Sequence, residues 1–153
     1  MIEKTINYLI ENKISIATAE SCTGGLIAKT VTDFPGVSGI FAEGYVTYSN
    51  EAKMKNLGVK KDTLDAYGAV SEQTAREMAE GVRRVSGADV GVSSTGIAGP
   101  DGGTPAKPVG LVYIACSTEH GCTVRELHLS GCRDDVRKKT VTEVFTLISD
   151  SIK

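Results

Sequence analysis

The sequence predicts an α/β fold: a mixed, largely parallel sheet covered by helices on both faces, in three α/β/α layers. Short β-branched apolar runs alternate with stretches of helical apolar spacing, which is the order of a sheet built through crossover helices. Two of the later runs are joined through Gly121, which allows a hairpin and makes the sheet mixed. Glycine and proline gather in one loop instead of a linker, and no repeat or low-complexity tract interrupts the chain. At 153 residues with 41% hydrophobic composition, the expectation is one domain over residues 1–153.

The elements follow in order. Ile2, Ile6, Leu9 and Ile10 recur at helical spacing. The run from Ile14 to Ala19 then reads as a strand ending at the polar cluster Glu20, Ser21, Cys22 and Thr23. Leu26, Ile27, Thr30 and Val31 share one face of a helix that opens at Thr23 or Gly24 and stops before Phe34 and Pro35. Phe41 to Ser49 reads as a strand, with Asn50 as N-cap of a helix running to Leu57 and closed by Gly58. Lys60 to Tyr67 is a further short helix. Val70, Ala75, Met78, Ala79, Val82 and Val85 form a helical stripe after a Ser71 cap. Asp89 to Ser94 reads as a buried strand, Gly96 to Pro108 as a Gly/Pro loop, and Val109 to Cys116 as another buried strand. Cys122 to Leu129 completes the hairpin. Val136, Thr140, Val144, Leu147 and Ile148 mark a closing helix.

Composition narrows the function. Lys and Arg number 17 against 19 Asp and Glu, a formal net charge of −2, so there is no global attraction for nucleic acid or anionic lipid. The apolar runs fall short of the roughly 20 residues that span a bilayer, and the N-terminus has acidic residues where a secretory signal is basic. A cytoplasmic protein with reduced Cys22, Cys116, Cys122 and Cys132 is the expectation. Without CxxC spacing, and with only His120 and His128, no metal site is expected. A homo-oligomer is expected only because symmetric assemblies are common.

In such sheets ligands sit beyond the carboxyl ends of the strands, which places Ser21 and Thr95 at the candidate site. The segment Ala19–Gly25, AESCTGG, puts a hydroxyl at a strand-to-helix turn followed by two glycines whose N–H groups can approach a ligand. The same residues also fit a plain helix cap. A nucleophilic serine needs a base, and both histidines fall on the hairpin, far from the glycine-rich segments. Lys53, about one turn beyond a strand end, is the best candidate if desolvation or a neighbouring cation lowers its pKa, with Tyr48 able to relay a proton. Ser93–Gly103, SSTGIAGPDGG, offers backbone donors for an anion or planar amide through Gly96, Gly99, Gly102 and Gly103, with Thr95 adding a hydroxyl. Arg133 and Arg137, four residues apart at the head of the last helix, suit a phosphate. Cys22, near a helix N-terminus, is a rival nucleophile.

AESCTGG, GYVTYSNEAK at Gly44–Lys53, GAVSE at Gly68–Glu72, STGIAGPDGG at Ser94–Gly103, KPVG at Lys107–Gly110 and SGCRDDVR at Ser130–Arg137 occur together in this order. In this the chain resembles the C-terminal domain of the CinA family over nearly its whole length. Cys132 and Ala106 stand where the family pattern has acidic residues. The resemblance implies an α/β/α domain, of the form without the molybdopterin-binding-like domain many members carry. It also implies hydrolysis of the carboxamide of nicotinamide mononucleotide to nicotinate mononucleotide and ammonia, with no metal or organic cofactor. On matching positions it implies Ser21 as nucleophile and Lys53 with Tyr48 as proton carriers. Oxyanion donors would lie near Thr23, Gly24 and Gly25. The nucleotide would be held by the Thr95–Gly103 loop and Arg137, with Asn50 and Arg133 also lining the site. A non-catalytic nucleotide-binding module of the same family is the alternative.

Overall fold

A computed structural model describes residues 1–153. Helix α1 (Ile2–Glu11) is followed by β1 (Ile16–Glu20), α2 (Leu26–Thr32), β2 (Phe41–Val46), α3 (Asn50–Leu57), α4 (Lys61–Tyr67) and α5 (Glu72–Ser86). Strands β3 (Val90–Gly96), β4 (Leu111–Thr118) and β5 (Gly121–His128) precede the closing helix α6 (Arg133–Ser151). No helix is long and apolar enough to cross a membrane.

The five strands lie in the order β2-β1-β3-β4-β5. β1 pairs in parallel with β2 and with β3, while β3–β4 and β4–β5 are antiparallel. Only β4 therefore runs against the rest, which makes the sheet mixed and largely parallel in direction. β1, at the centre of the parallel part, is buried at every position, as expected for a strand covered on both faces.

The apolar stripes read from the sequence become the two outer layers. On one face α1, α2 and α6 pack Ile6, Leu9, Ile27, Val31, Phe145 and Ile148 against Ile16, Val92 and Ile114. On the other, α3, α4 and α5 bring Leu57, Leu64, Met78 and Val82 onto Ala17 and Ala19. Alanines 75 and 79 let α5 approach Ala115 of β4 closely. The Ser71 hydroxyl caps α5 by accepting from Thr74 N–H at 3.2 Å, and Gly87 ends the helix in the left-handed conformation.

Several boundaries differ from expectation, three of them beside the candidate site. α2 starts at Leu26, because Gly24 and Gly25 have positive φ (59° and 105°) and Cys22–Gly25 form turns. β2 ends at Val46, because the carbonyls of Thr47 and Tyr48 accept from Lys53 Nζ instead of joining a ladder. The cap of α3 is Ser49, not Asn50: its Oγ accepts from Ala52 N–H at 3.1 Å. A short 3-10 turn at Val37–Gly39 was not foreseen.

Candidate active site

Ser21 follows directly on β1 and is held between both neighbouring strands. Its N–H donates to the Ser94 carbonyl at 3.0 Å, and the Glu20 carbonyl accepts from Thr47 N–H at 2.8 Å. The side chains of β1 alternate between faces: Ala17 and Ala19 pack on the α5 side, and Ser21 continues that alternation toward α3. The first turn of α3, fixed by the Ser49 cap, sends Lys53 back to it.

Lys53 is completely buried. Its Nζ lies 3.0 Å from Ser21 Oγ and donates to the carbonyls of Thr47 at 2.7 Å and Tyr48 at 3.3 Å. None of these partners is ionised. Burial lowers the lysine pKa below its usual range, with a smaller opposing electrostatic effect from Cys22. A neutral amine has two N–H bonds and one lone pair. The two carbonyls can take the N–H bonds, which leaves the lone pair for the Ser21 hydroxyl. That is the pairing a nucleophile and its base require.

The turn after Ser21 is organised by a residue the sequence reading passed over. Glu20, completely buried, accepts from the Thr23 hydroxyl (2.6 Å) and from the N–H groups of Gly25 (3.2 Å), Ile27 (2.8 Å) and Ala28 (3.0 Å). It thus satisfies the orphan donors at the start of α2. The signal was present in an acid closing an otherwise apolar strand just before a helix start, since buried carboxylates persist only where donors surround them. Ser94 Oγ, 2.7 Å from Thr23 Oγ1, joins the same network.

Glu20 also corrects the expected oxyanion donors. Gly25 N–H is spent on its carboxylate, and Gly24 N–H donates to the Ser21 carbonyl at 3.1 Å. The N–H groups of Cys22 and Thr23 donate to no carbonyl, whereas every other N–H from Ser21 to Ala28 has an acceptor. The rival thiol is disfavoured as a nucleophile: Cys22 is buried, and burial pushes its pKa up to about 12.

The remaining expected residues divide. Tyr48 presents its main-chain carbonyl to Lys53, while its side chain is 62% exposed and its hydroxyl accepts from Arg133 at 3.2 Å. The phenol is thus tied to α6 instead of bridging Ser21 and Lys53. Arg133 also donates to the Gly99 carbonyl at 2.8 Å, so it links α6, the glycine-rich loop and the end of β2 across the site. Arg137 donates Nε to the Cys22 carbonyl (3.2 Å) and a terminal N–H to the Thr23 carbonyl (2.8 Å), so these donors serve the turn and not a phosphate. Thr95 is buried and gives its hydroxyl to the Ala69 carbonyl at 2.8 Å, tying β3 to the loop before α5. Asn50 is an exposed first residue of α3.

The loop glycines have a packing reason. A Cβ at Gly99 would stand 2.5 Å from Val109 Cγ1, one at Gly103 2.8 Å from Val109 N, and one at Gly96 2.6 Å from Val112 Cγ2. Gly102 has positive φ, and a Cβ there would meet Ile97 Cγ2 at 3.9 Å. A surface cleft of about 680 Å³ lies elsewhere, between α1 and the end of α6, and includes none of the Ser21 cluster.

The sequence profile described as "CinA C-terminal domain" matches residues 1–152. A protein of Acetivibrio thermocellus, provisionally named a competence-damage inducible protein, is 60% identical over 140 residues, covering 92% of this chain and 34% of that protein. A like-named protein of Clostridium novyi is 62% identical over 133 residues, 87% of this chain and 32% of its own length. The chain thus spans about a third of these curated relatives. Among solved structures, the competence/damage inducible protein CihA of Agrobacterium tumefaciens is 40% identical, with a TM-score of 0.90 over 99% of this chain and 91% of that one. The competence damage-inducible protein A of Klebsiella pneumoniae is 31% identical, with a TM-score of 0.94 over 99% and 94%.

Proposed function

The chain belongs to the CinA C-terminal domain family, and from that premise we propose that it hydrolyses the carboxamide of nicotinamide mononucleotide to nicotinate mononucleotide and ammonia. The observation that carries the reading is a single contact: a completely buried lysine without an acidic partner, its Nζ 3.0 Å from Ser21 Oγ at the carboxyl end of the central strand.

The reaction runs in two halves. Ser21 Oγ attacks the amide carbon while its proton passes to neutral Lys53. The oxyanion that forms is met by the Cys22 and Thr23 N–H groups, the first of which belongs to the residue after the nucleophile, a common position for such a donor. Collapse breaks the C–N bond, Lys53 returns the proton to the leaving nitrogen, and ammonia departs from a Ser21 ester. Water then attacks the ester as Lys53 takes its proton. Breakdown of the second tetrahedral intermediate restores Ser21 and neutral Lys53. The nucleotide end of the substrate is assigned to the glycine-rich loop and Arg133, whose guanidinium already lies between that loop and Tyr48.

Ammonia release from nicotinamide mononucleotide is the test, run on wild type and on Ser21→Ala with folding checked by circular dichroism. Release that drops by about 10³-fold or more in folded Ser21→Ala is the expected result. Wild type that binds the nucleotide and releases no ammonia would make this a binding module.

A further inference from the structure

We propose that Arg137 is a positioning residue that braces and polarises the oxyanion donors from behind the Ser21 turn, an inference resting on the serine-acyl reading above. Its two bonds are placed for this. The Cys22 carbonyl that accepts from Arg137 Nε belongs to the same peptide unit as the Thr23 N–H. Charge on that oxygen drains electron density from the nitrogen and makes its hydrogen a stronger donor. The Thr23 carbonyl, which takes the second guanidinium bond, shares its peptide unit with Gly24 N–H. Gly24 N–H donates in turn to the Ser21 carbonyl, whose peptide unit carries the Cys22 N–H. One guanidinium therefore polarises both candidate donors, Thr23 directly and Cys22 through a relay of one further hydrogen bond.

The same turn is anchored from within. Glu20 draws the N–H groups of Gly25, Ile27 and Ala28 inward, and Arg137 holds the opposite, carbonyl-bearing edge. With both edges held by charge-assisted bonds, the Cys22 and Thr23 N–H groups are set before substrate arrives, the preorganisation that gives oxyanion stabilisation its value. Arg137 sits closely over the turn: a Cβ at Gly24 would come within 3.4 Å of its terminal nitrogen.

A phosphate ligand and a brace differ in what they change. A brace acts on kcat for any substrate; a phosphate ligand acts on KM for phosphorylated ones. Wild type, Arg137→Lys and Arg137→Ala are compared in two assays, with melting temperatures to confirm folding. In the first, a fluorophosphonate ester labels Ser21: an O–P bond forms, fluoride leaves, the serine proton passes to Lys53, and intact mass gives the rate. Labelling at least about tenfold slower in Arg137→Ala, and partly restored in Arg137→Lys, is expected, since the donors remain but lose their polarisation. In the second, ammonia release from nicotinamide mononucleotide and from nicotinamide riboside should show the same fall in kcat with KM little changed. Equal labelling of wild type and Arg137→Ala overturns the brace, and so does a KM increase confined to the mononucleotide. Wild type that is labelled but releases no ammonia sinks the amidase reading alone, and the labelling rates then decide the brace. Wild type that resists labelling overturns both.

Discussion

Two polar clusters of this molecule use side-chain hydrogen bonds for opposite ends. At the carboxyl end of β1, Lys53 reaches Ser21 at 3.0 Å inside the protein. On the exposed edge of the β4–β5 hairpin, the Tyr113 hydroxyl bonds Glu126, and His128 lies 2.9 Å from the same carboxylate. At the edge, the bond to Glu126 raises the Tyr113 hydroxyl to about 12, and the bonds from Tyr113 and His128 lower Glu126. Each group is driven further into its resting charge state. In the interior, burial lowers Lys53 toward the neutral form that can accept a proton. A short contact between titratable groups therefore does not mark a reactive site; removal of water from the charged form does.

The sharpest way to break this contrast is to remove the buried amine and keep its bulk. Lys53→Met should cut ammonia release by about 10³-fold, within the range of general-base deletions, measured under the same conditions as wild type. Activity surviving at a tenth or more would mean that desolvation of Lys53 has no catalytic purpose.

Next comes the turn beneath it. Glu20→Gln replaces a carboxylate that serves four donors with an amide bearing only one acceptor oxygen. A loss of about 1–3 kcal/mol of unfolding free energy is expected from urea denaturation. An unchanged midpoint would show the carboxylate to be dispensable to the turn.

The pH dependence of stability sharpens the comparison further. Lys53 has a folded pKa below its unfolded value of 10.5, so between those two values the unfolded state binds more protons. Stability attributable to this residue therefore rises with pH across that window, is fully present above the unfolded pKa, and is lost as pH falls through the folded one, with a slope of at most about 1.4 kcal/mol per pH unit. Subtracting the urea profile of Lys53→Met from that of wild type should expose this rise; a difference flat in pH would contradict the lowered pKa.

The smallest effect belongs to the hairpin edge. Tyr113→Phe and His128→Ala should leave ammonia release within about twofold of wild type, as changes at exposed, screened pairs do. A large loss from either would erase the distinction between the clusters.

Much of the frame was readable along the chain because its causes are local. The Ser71 cap, the closing Gly58, the stripe over α5 and the buried β1 run each depend on neighbours within a turn or two. The AESCTGG turn was legible as a candidate site for the same reason: glycines with positive φ follow a strand end. The contacts of Arg137 and Tyr48 were not legible, because spacing along an element tells which residues share a face and not what that face meets. Arg137 meets carbonyls 115 and 114 positions earlier in the chain.

By itself, then, the sequence determined the α/β alternation, most helix ends and the pairing of a hydroxyl with a lysine as candidates, all consequences of period, capping and composition. Only the tertiary structure decided that Ser21 and Lys53, 32 residues apart, share one buried contact, that Glu20 orders the turn, and that the free N–H groups are those of Cys22 and Thr23. The physical reason is the strand order. Placing β1 between β2 and β3 brings the ends of three strands and the head of α3 together, and the desolvation that follows exists only once those segments have packed.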